Sequence, residues 1–147
     1  MRTQVIVEVL QEIDSEHQEL EALYCEFDAF LYSEPACVPI LRKRLGELTA
    51  ILKSHFEHEE EGGYFEEITS MAPRLSHAAQ ELENEHDVLL ARLEHLANRL
   101  STTVDRAGEL AALRQEFGEF IQACRTHEHR ETALVQEAWL TEIGTGD

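Results

Sequence analysis

Proline and glycine are scarce in this chain, three and seven among 147 residues, and they gather between periodic apolar runs. β-branched alternation is nearly absent as well, so a sheet-based fold is excluded. Cysteine is equally sparse. Cys25, Cys37 and Cys124 are odd in number and lack CxxC spacing. That argues against a disulfide framework and against zinc-thiolate or iron-sulfur sites, and it fits a reducing cytoplasm. Basic residues are few: 12 Lys and Arg stand against 30 Asp and Glu, for a formal net charge of −18. Such a field repels nucleic acid and anionic membranes, so neither is expected as a partner. No run approaches the roughly 18 apolar residues of a membrane span. The segment Ile6 to Leu10 is short and interrupted by Glu8, unlike a secretory leader.

Leu, Glu and Ala dominate instead, with apolar residues at helical spacing. Helices are expected over 3–31, 38–61, 74–100 and 106–139, in an all-α, antiparallel up-down-up-down four-helix bundle. Residues 1–147 suffice for one domain, which at this size buries about two-thirds of its unfolded surface without staples. Gly62-Gly63 should stop the second helix, Tyr64 to Ser70 has room for one short helical piece before a loop at Met71 and Ala72, and Pro73 suits a first helical turn.

Histidine sits on each of the four apolar stripes. The first stripe runs Ile6, Leu10, Ile13, His17, Leu20, Tyr24, Phe27, Leu31; the second runs Leu41, Leu45, Leu48, Leu52, His55, Glu59. The third carries His86 between Leu82 and Leu89, and the fourth runs Phe117, Phe120, Cys124, His127, Glu131, Leu134. His58, His77, His95 and His129 fall on a flank or a polar side. HxxxE spacing alone decides little in so acidic a chain, since His17 with Glu21 and His77 with Glu81 also fit. Position on the stripe separates His55 with Glu59 and His127 with Glu131 from these, because buried charge is costly unless paired or bound to metal.

Depth along the bundle supplies a second test, since neighbouring antiparallel helices align residues equally distant from their turn. The midpoint between His17 and His55 is Ala36, within Ser33-Glu34-Pro35-Ala36-Cys37-Val38-Pro39. The midpoint between His55 and His86 falls at Ser70 and Met71, and that between His86 and His127 at Arg106 and Ala107, beside Gly108. All three lie on or next to expected turns, so the four histidines should share one level. Four imidazoles and two carboxylates exceed the needs of one tetrahedral ion. They suit two ions with the carboxylates bridging, and this donor set accommodates iron, zinc or manganese.

The chain resembles the hemerythrin-like or HHE cation-binding domains. The resemblance rests on Glu16-His17-Gln18-Glu19-Leu20, His55-Phe56-Glu57-His58-Glu59-Glu60, Glu85-His86 and His127-Glu128-His129-Arg130-Glu131. It implies a four-helix bundle with two non-haem iron ions that bind dioxygen reversibly or sense oxygen, iron or nitric oxide. His17, His55, His86 and His127 would be terminal ligands, and Glu59 and Glu131 the bridging carboxylates. The chain departs from classical hemerythrins on the third helix, where Leu82 and Leu90 flank His86 and a further histidine is missing. One iron is then short of a ligand and open to water or peroxide, with His58 and Glu83 as candidates to fill the vacancy. The fourth-helix carboxylate is a Glu four residues on, where the classical oxygen carriers have an Asp five residues on.

Three function classes follow. A cytoplasmic module that binds or senses O2, NO or iron is preferred; an enzyme reducing peroxide or O2, or handling iron in ferroxidase fashion, comes second; a metal-free structural bundle comes last. Cys124 reads as a small buried apolar side chain, Tyr24 and Tyr64 as packing residues, and Trp139 as a cap on the core.

Overall fold

The computed structural model describes residues 2–32, 38–102 and 107–145. Among them there is no strand. Four long helices, α1 (Arg2–Leu31), α2 (Val38–Glu61), α4 (Ser76–Thr102) and α5 (Ala107–Thr145), are joined by a short α3 (Tyr64–Met71) inserted between the second and third long helices. Among the described residues no helix is long and apolar enough to cross a membrane. Ser33 to Cys37 and Thr103 to Arg106 lie outside the described residues, and with them the predicted turn at Ala36, most of the turn at Arg106 and Ala107, and Cys37.

The connection from α2 to α4 carries the local chemistry that the sequence announced. The Gly62 N–H donates to the His58 carbonyl at 2.8 Å, closing α2, and Gly63 adopts φ +84, a left-handed conformation that favours glycine. α3 starts at once, with Glu66 and Glu67 in its first turn, where carboxylates complement the helix dipole. Met71 is still helical, so the expected loop narrows to Ala72, whose N–H donates to the Ile68 carbonyl at 2.9 Å. Pro73 does open the next element, but as a 3₁₀ turn, Pro73–Leu75, so α4 begins at Ser76 rather than 74.

Cross-helix contacts fix which residues meet. Between α1 and α2, Arg44 reaches Glu26 at 2.9 Å and His55 reaches Glu16 at 3.3 Å. Between α2 and α4, the Arg42 guanidinium donates to the Leu100 carbonyl at 3.1 Å and the Ser101 carbonyl at 3.2 Å, satisfying acceptors that the end of α4 would otherwise leave without partners. Arg99 pairs with Glu116, and Arg130 with Glu85 at 2.6 Å, from α4 to α5. Arg125 on α5 pairs with Glu21 on α1 at 2.8 Å.

The apolar interior is split in two. One cluster holds Leu20, Tyr24, Phe27, Leu31, Leu52, Phe56, Leu89, Leu93, Phe117, Phe120 and Cys124 with their neighbours. The other gathers Ile13, Tyr64, Phe65, Ile68, Met71, Leu75, Leu82 and Leu134, with Trp139 packed against it as expected of a cap. Along α1, α4 and α5 the boundary between the clusters falls at His17, His86 and His127. A polar layer therefore crosses the bundle at one level.

Candidate metal centre

Each long helix delivers one imidazole to that layer, and α2 and α5 each add a carboxylate one turn further on. His55, Glu59, His86, His127 and Glu131 are all 0–1 % exposed, while His17 retains 13 %. The ring centroids of His17 and His55 are 4.8 Å apart, and those of His86 and His127 5.0 Å. The stripe and depth readings thus bring all six residues together.

All four Nε2 atoms turn toward the two carboxylates. His55 Nε2 lies 3.2 Å and His86 Nε2 3.3 Å from Glu59 Oε1, and His127 Nε2 lies 3.2 Å and His17 Nε2 3.6 Å from Glu131 Oε1. Two overlapping sets of four result: His17, His55, Glu59 and Glu131 in one, Glu59, His86, His127 and Glu131 in the other, with ligand atoms within 4.8 Å of one another in each. Both sets contain both glutamates. Yet the four Nε2 atoms and all four carboxylate oxygens are buried without a hydrogen-bond partner. Buried polar atoms are normally satisfied, and leaving this many unpaired in one layer would be heavily destabilising. Cations fit the donor set: nitrogen and oxygen atoms converge, and among the described residues none of them has a hydrogen-bond partner.

Electrostatics point the same way. Burial, together with the facing Glu131, pushes the Glu59 carboxyl well above the usual range, so without a cation the pair retains a proton. Burial lowers His55 to about 4, with the His17 charge adding to the effect, and lowers His86 to about 3. Neutral imidazole is the form that binds metal. Burial also lowers His17, but its contacts with Glu131 outweigh this, aided by Glu128 and Asp14, and the net shift is upward.

The outward-facing nitrogens meet a ring of carboxylates from neighbouring helices. His55 Nδ1 lies 3.3 Å from Glu16 Oε1, whose other oxygen lies 2.5 Å from His58 Nδ1, and His58 Nε2 lies 3.2 Å from the exposed Glu12. His127 Nδ1 faces Glu85 at 3.7 Å and His86 Nδ1 faces Glu60 at 3.8 Å. Only the Glu16 contact is a hydrogen bond, which orients the His55 imidazole and raises its basicity; the Nδ1 atoms of His86 and His127 have no hydrogen-bond partner among the described residues. His58 is therefore committed to the outside of the bundle, and neither His58 nor Glu83 belongs to a group able to hold an ion. His77 is 88 % exposed. His95 and His129 are exposed too.

Two features lay beyond the sequence reading. Glu128 is buried beside the layer, where Tyr24 donates to it at 3.2 Å, and burial lifts its carboxyl to about 7. Its position, four residues after Cys124 and seven after Ile121, was the available signal. Tyr24 is accordingly more than packing. Glu16 gave none, since a neighbouring helix chooses its partner. Cys124 is buried as expected, and burial pushes its thiol to about 12.

Similarity to known proteins agrees with this geometry. The family model described as the hemerythrin HHE cation binding domain matches residues 8–139. No curated protein and no solved structure matches the chain.

Proposed function

Because the chain belongs to the hemerythrin HHE cation-binding domain family, we propose that it is a cytoplasmic, single-domain, antiparallel up-down-up-down bundle that holds two iron ions and binds or senses O2 or NO. The observation that carries this reading is the pair of overlapping ligand sets that share Glu59 and Glu131. A carboxylate common to two sets can serve two ions at once. The helix order is supported by partner numbers that fall along one helix as they rise along the next, as in Glu16 with His55 and Glu26 with Arg44.

Under this reading His17 and His55 would hold one ion and His86 and His127 the other, with Glu59 and Glu131 available to both. Bound iron would supply a redox-active Lewis acid able to take up a diatomic ligand. The protein contributes four imidazoles, of which burial favours the neutral form at His55 and His86, an apolar surround from Phe56 and Phe65, and the Glu16 carboxylate that orients the His55 ring. Phe56 stacks on His86 with centroids 3.9 Å apart, which fixes that ring's plane.

A second reading, reduction of peroxide or O2, is favoured by the His86 half of the centre. Leu82 occupies one position where a further histidine would stand, and neither His58 nor Glu83 supplies a substitute donor there. Anaerobic loading with ferrous iron, metal analysis and one exposure to air separate the readings. About two irons per chain with a reversible oxygen spectrum support binding; sustained peroxide loss supports the enzyme; no iron uptake rejects both.

A further inference from the structure

Five of the six residues of the layer are sealed, and His17 alone keeps appreciable exposure. The space that exposes it is a small pocket of about 120 Å³ lined by His17 and Tyr64 together with residues of α1 and α5, among them Ile13, Asp14, Thr132 and Gln136. A larger groove of about 370 Å³ shares Leu10, Asp14, Val135 and Gln136 with this pocket and continues past Val7 and Trp139. A mostly apolar approach thus runs between α1 and α5 toward His17. The inner pocket, the part that reaches His17, suits a ligand of a few heavy atoms.

Tyr64 occupies the inner end of this approach. It is only 3 % exposed, it opens α3 immediately after the left-handed Gly63, and Ile13, Phe65 and Ile68 belong to the same apolar cluster. Among the described residues its hydroxyl makes no hydrogen bond, and its oxygen is not one of the fully buried polar atoms. The ring is buried while the oxygen keeps access to the pocket that Tyr64 helps to line, so the hydroxyl is free to donate into it. The pocket therefore contains an O–H donor and a partly exposed imidazole.

Resting on the two-ion reading above, we propose that Tyr64 is the hydrogen-bond donor for the small ligand that enters between α1 and α5, selecting ligands that carry negative charge on an acceptor atom over neutral diatomics. Donation from a neutral hydroxyl to a charged acceptor contributes about twice as much as to a neutral one. Tyr64 thus discriminates among ligands of equal size.

Sodium azide is the probe, titrated into iron-loaded oxidised protein and read by the absorbance of the complex. Tyr64→Phe is expected to retain the iron content of the unaltered protein, to weaken azide binding by about 10-fold or more, and to leave nitric oxide binding to the reduced protein unchanged. Should the variant lose iron, vibrational spectra of the azide complex of unaltered protein in light and heavy water provide the readout, since a donated proton shifts the ligand frequency. Equal azide dissociation constants, or no isotope shift, overturn the donor role. A phenolate-to-iron band in the azide-free protein that disappears in Tyr64→Phe also overturns it, in favour of direct ligation. Failure of the unaltered protein to take up iron overturns the centre itself, and the donor with it.

Discussion

Glu16 lies 3.3 Å from Nδ1 of His55 while its second oxygen lies 2.5 Å from Nδ1 of His58, so one carboxylate joins a half-buried imidazole to a buried one. The contact holds the His55 ring with Nε2 directed at Glu59. Glu16→Gln retains the shape and removes the charge, and should weaken metal binding about 10-fold by making His55 a poorer donor. Glu16→Ala should weaken it further. Competition with a chelator of known affinity measures both, and unchanged affinity in the Ala variant would remove Glu16 from the centre.

Loss of either shared carboxylate should empty both ion positions together. Glu59→Ala and Glu131→Ala each remove a residue common to both ligand sets and leave any bound cations poorly compensated. His77, 88 % exposed on α4, is the control. Elemental analysis should return near-zero metal for the two glutamate variants and an unaltered content for His77→Ala; a variant retaining one tightly held ion would show that the glutamates do not bridge.

Metal-free protein should become less stable as pH rises above 6.5. Glu59 and His17 hold their protons more tightly folded than unfolded, so their contribution is present at lower pH and is lost as each releases its proton in the folded state. His55 and His86, depressed to about 4 and about 3, act in the opposite sense: their contribution is present above 6.5 and is lost as pH falls toward those values. Loaded protein should not share the alkaline decline, because metal binding requires the same protons to have left. Thermal melts at pH 6.5 and 8.5, with and without a chelator, test this, and Glu59→Gln should flatten the metal-free curve.

Thiol reactivity should divide Cys25 from Cys124. Cys25 is exposed, whereas Cys124 is buried with its thiol pushed to about 12 and so holds almost no thiolate at neutral pH. Brief maleimide treatment of folded protein followed by peptide mass analysis should find label on Cys25 and none on Cys124. Rapid modification of Cys124 would mean that the bundle opens near Tyr24 and Glu128.

Much of this arrangement was legible before any coordinates. The stripes located His17, His55, His86 and His127 because one helix's own periodicity decides which face it buries, and equal spacing from the turns placed them at one level. α2 matches its expected span of 38–61 residue for residue, since Pro39 and Gly62 mark both ends. α5 runs on to Thr145, past the expected 139, because nothing between Trp139 and Gly144 interrupts a helix. The missing knowledge concerns contacts between helices. Glu16, Glu60 and Glu85 look like ordinary solvated carboxylates until a neighbouring helix sets an imidazole beside them. Tyr64 read as packing because its ring does pack; only the unpartnered hydroxyl at the end of a pocket distinguishes it.

The polar layer that divides the apolar interior also divides the molecule's resistance to opening. The cluster containing Leu52, Phe117 and Phe120 packs apolar side chains from all four long helices, whereas the cluster around Ile68, Met71 and Leu134 is roofed by the eight-residue α3, a length too short to be stable alone. Cations in the layer would clamp the second cluster to the first, and their departure would leave it the first part to come apart. Amide exchange should accordingly be slow throughout the loaded protein, and in the stripped protein fast over α3 and the adjoining ends of α4 and α5 while the opposite end stays protected. A change of occupancy at the buried layer would thereby become a change in surface around Tyr64 to Leu75, a readable signal for whatever contacts that end.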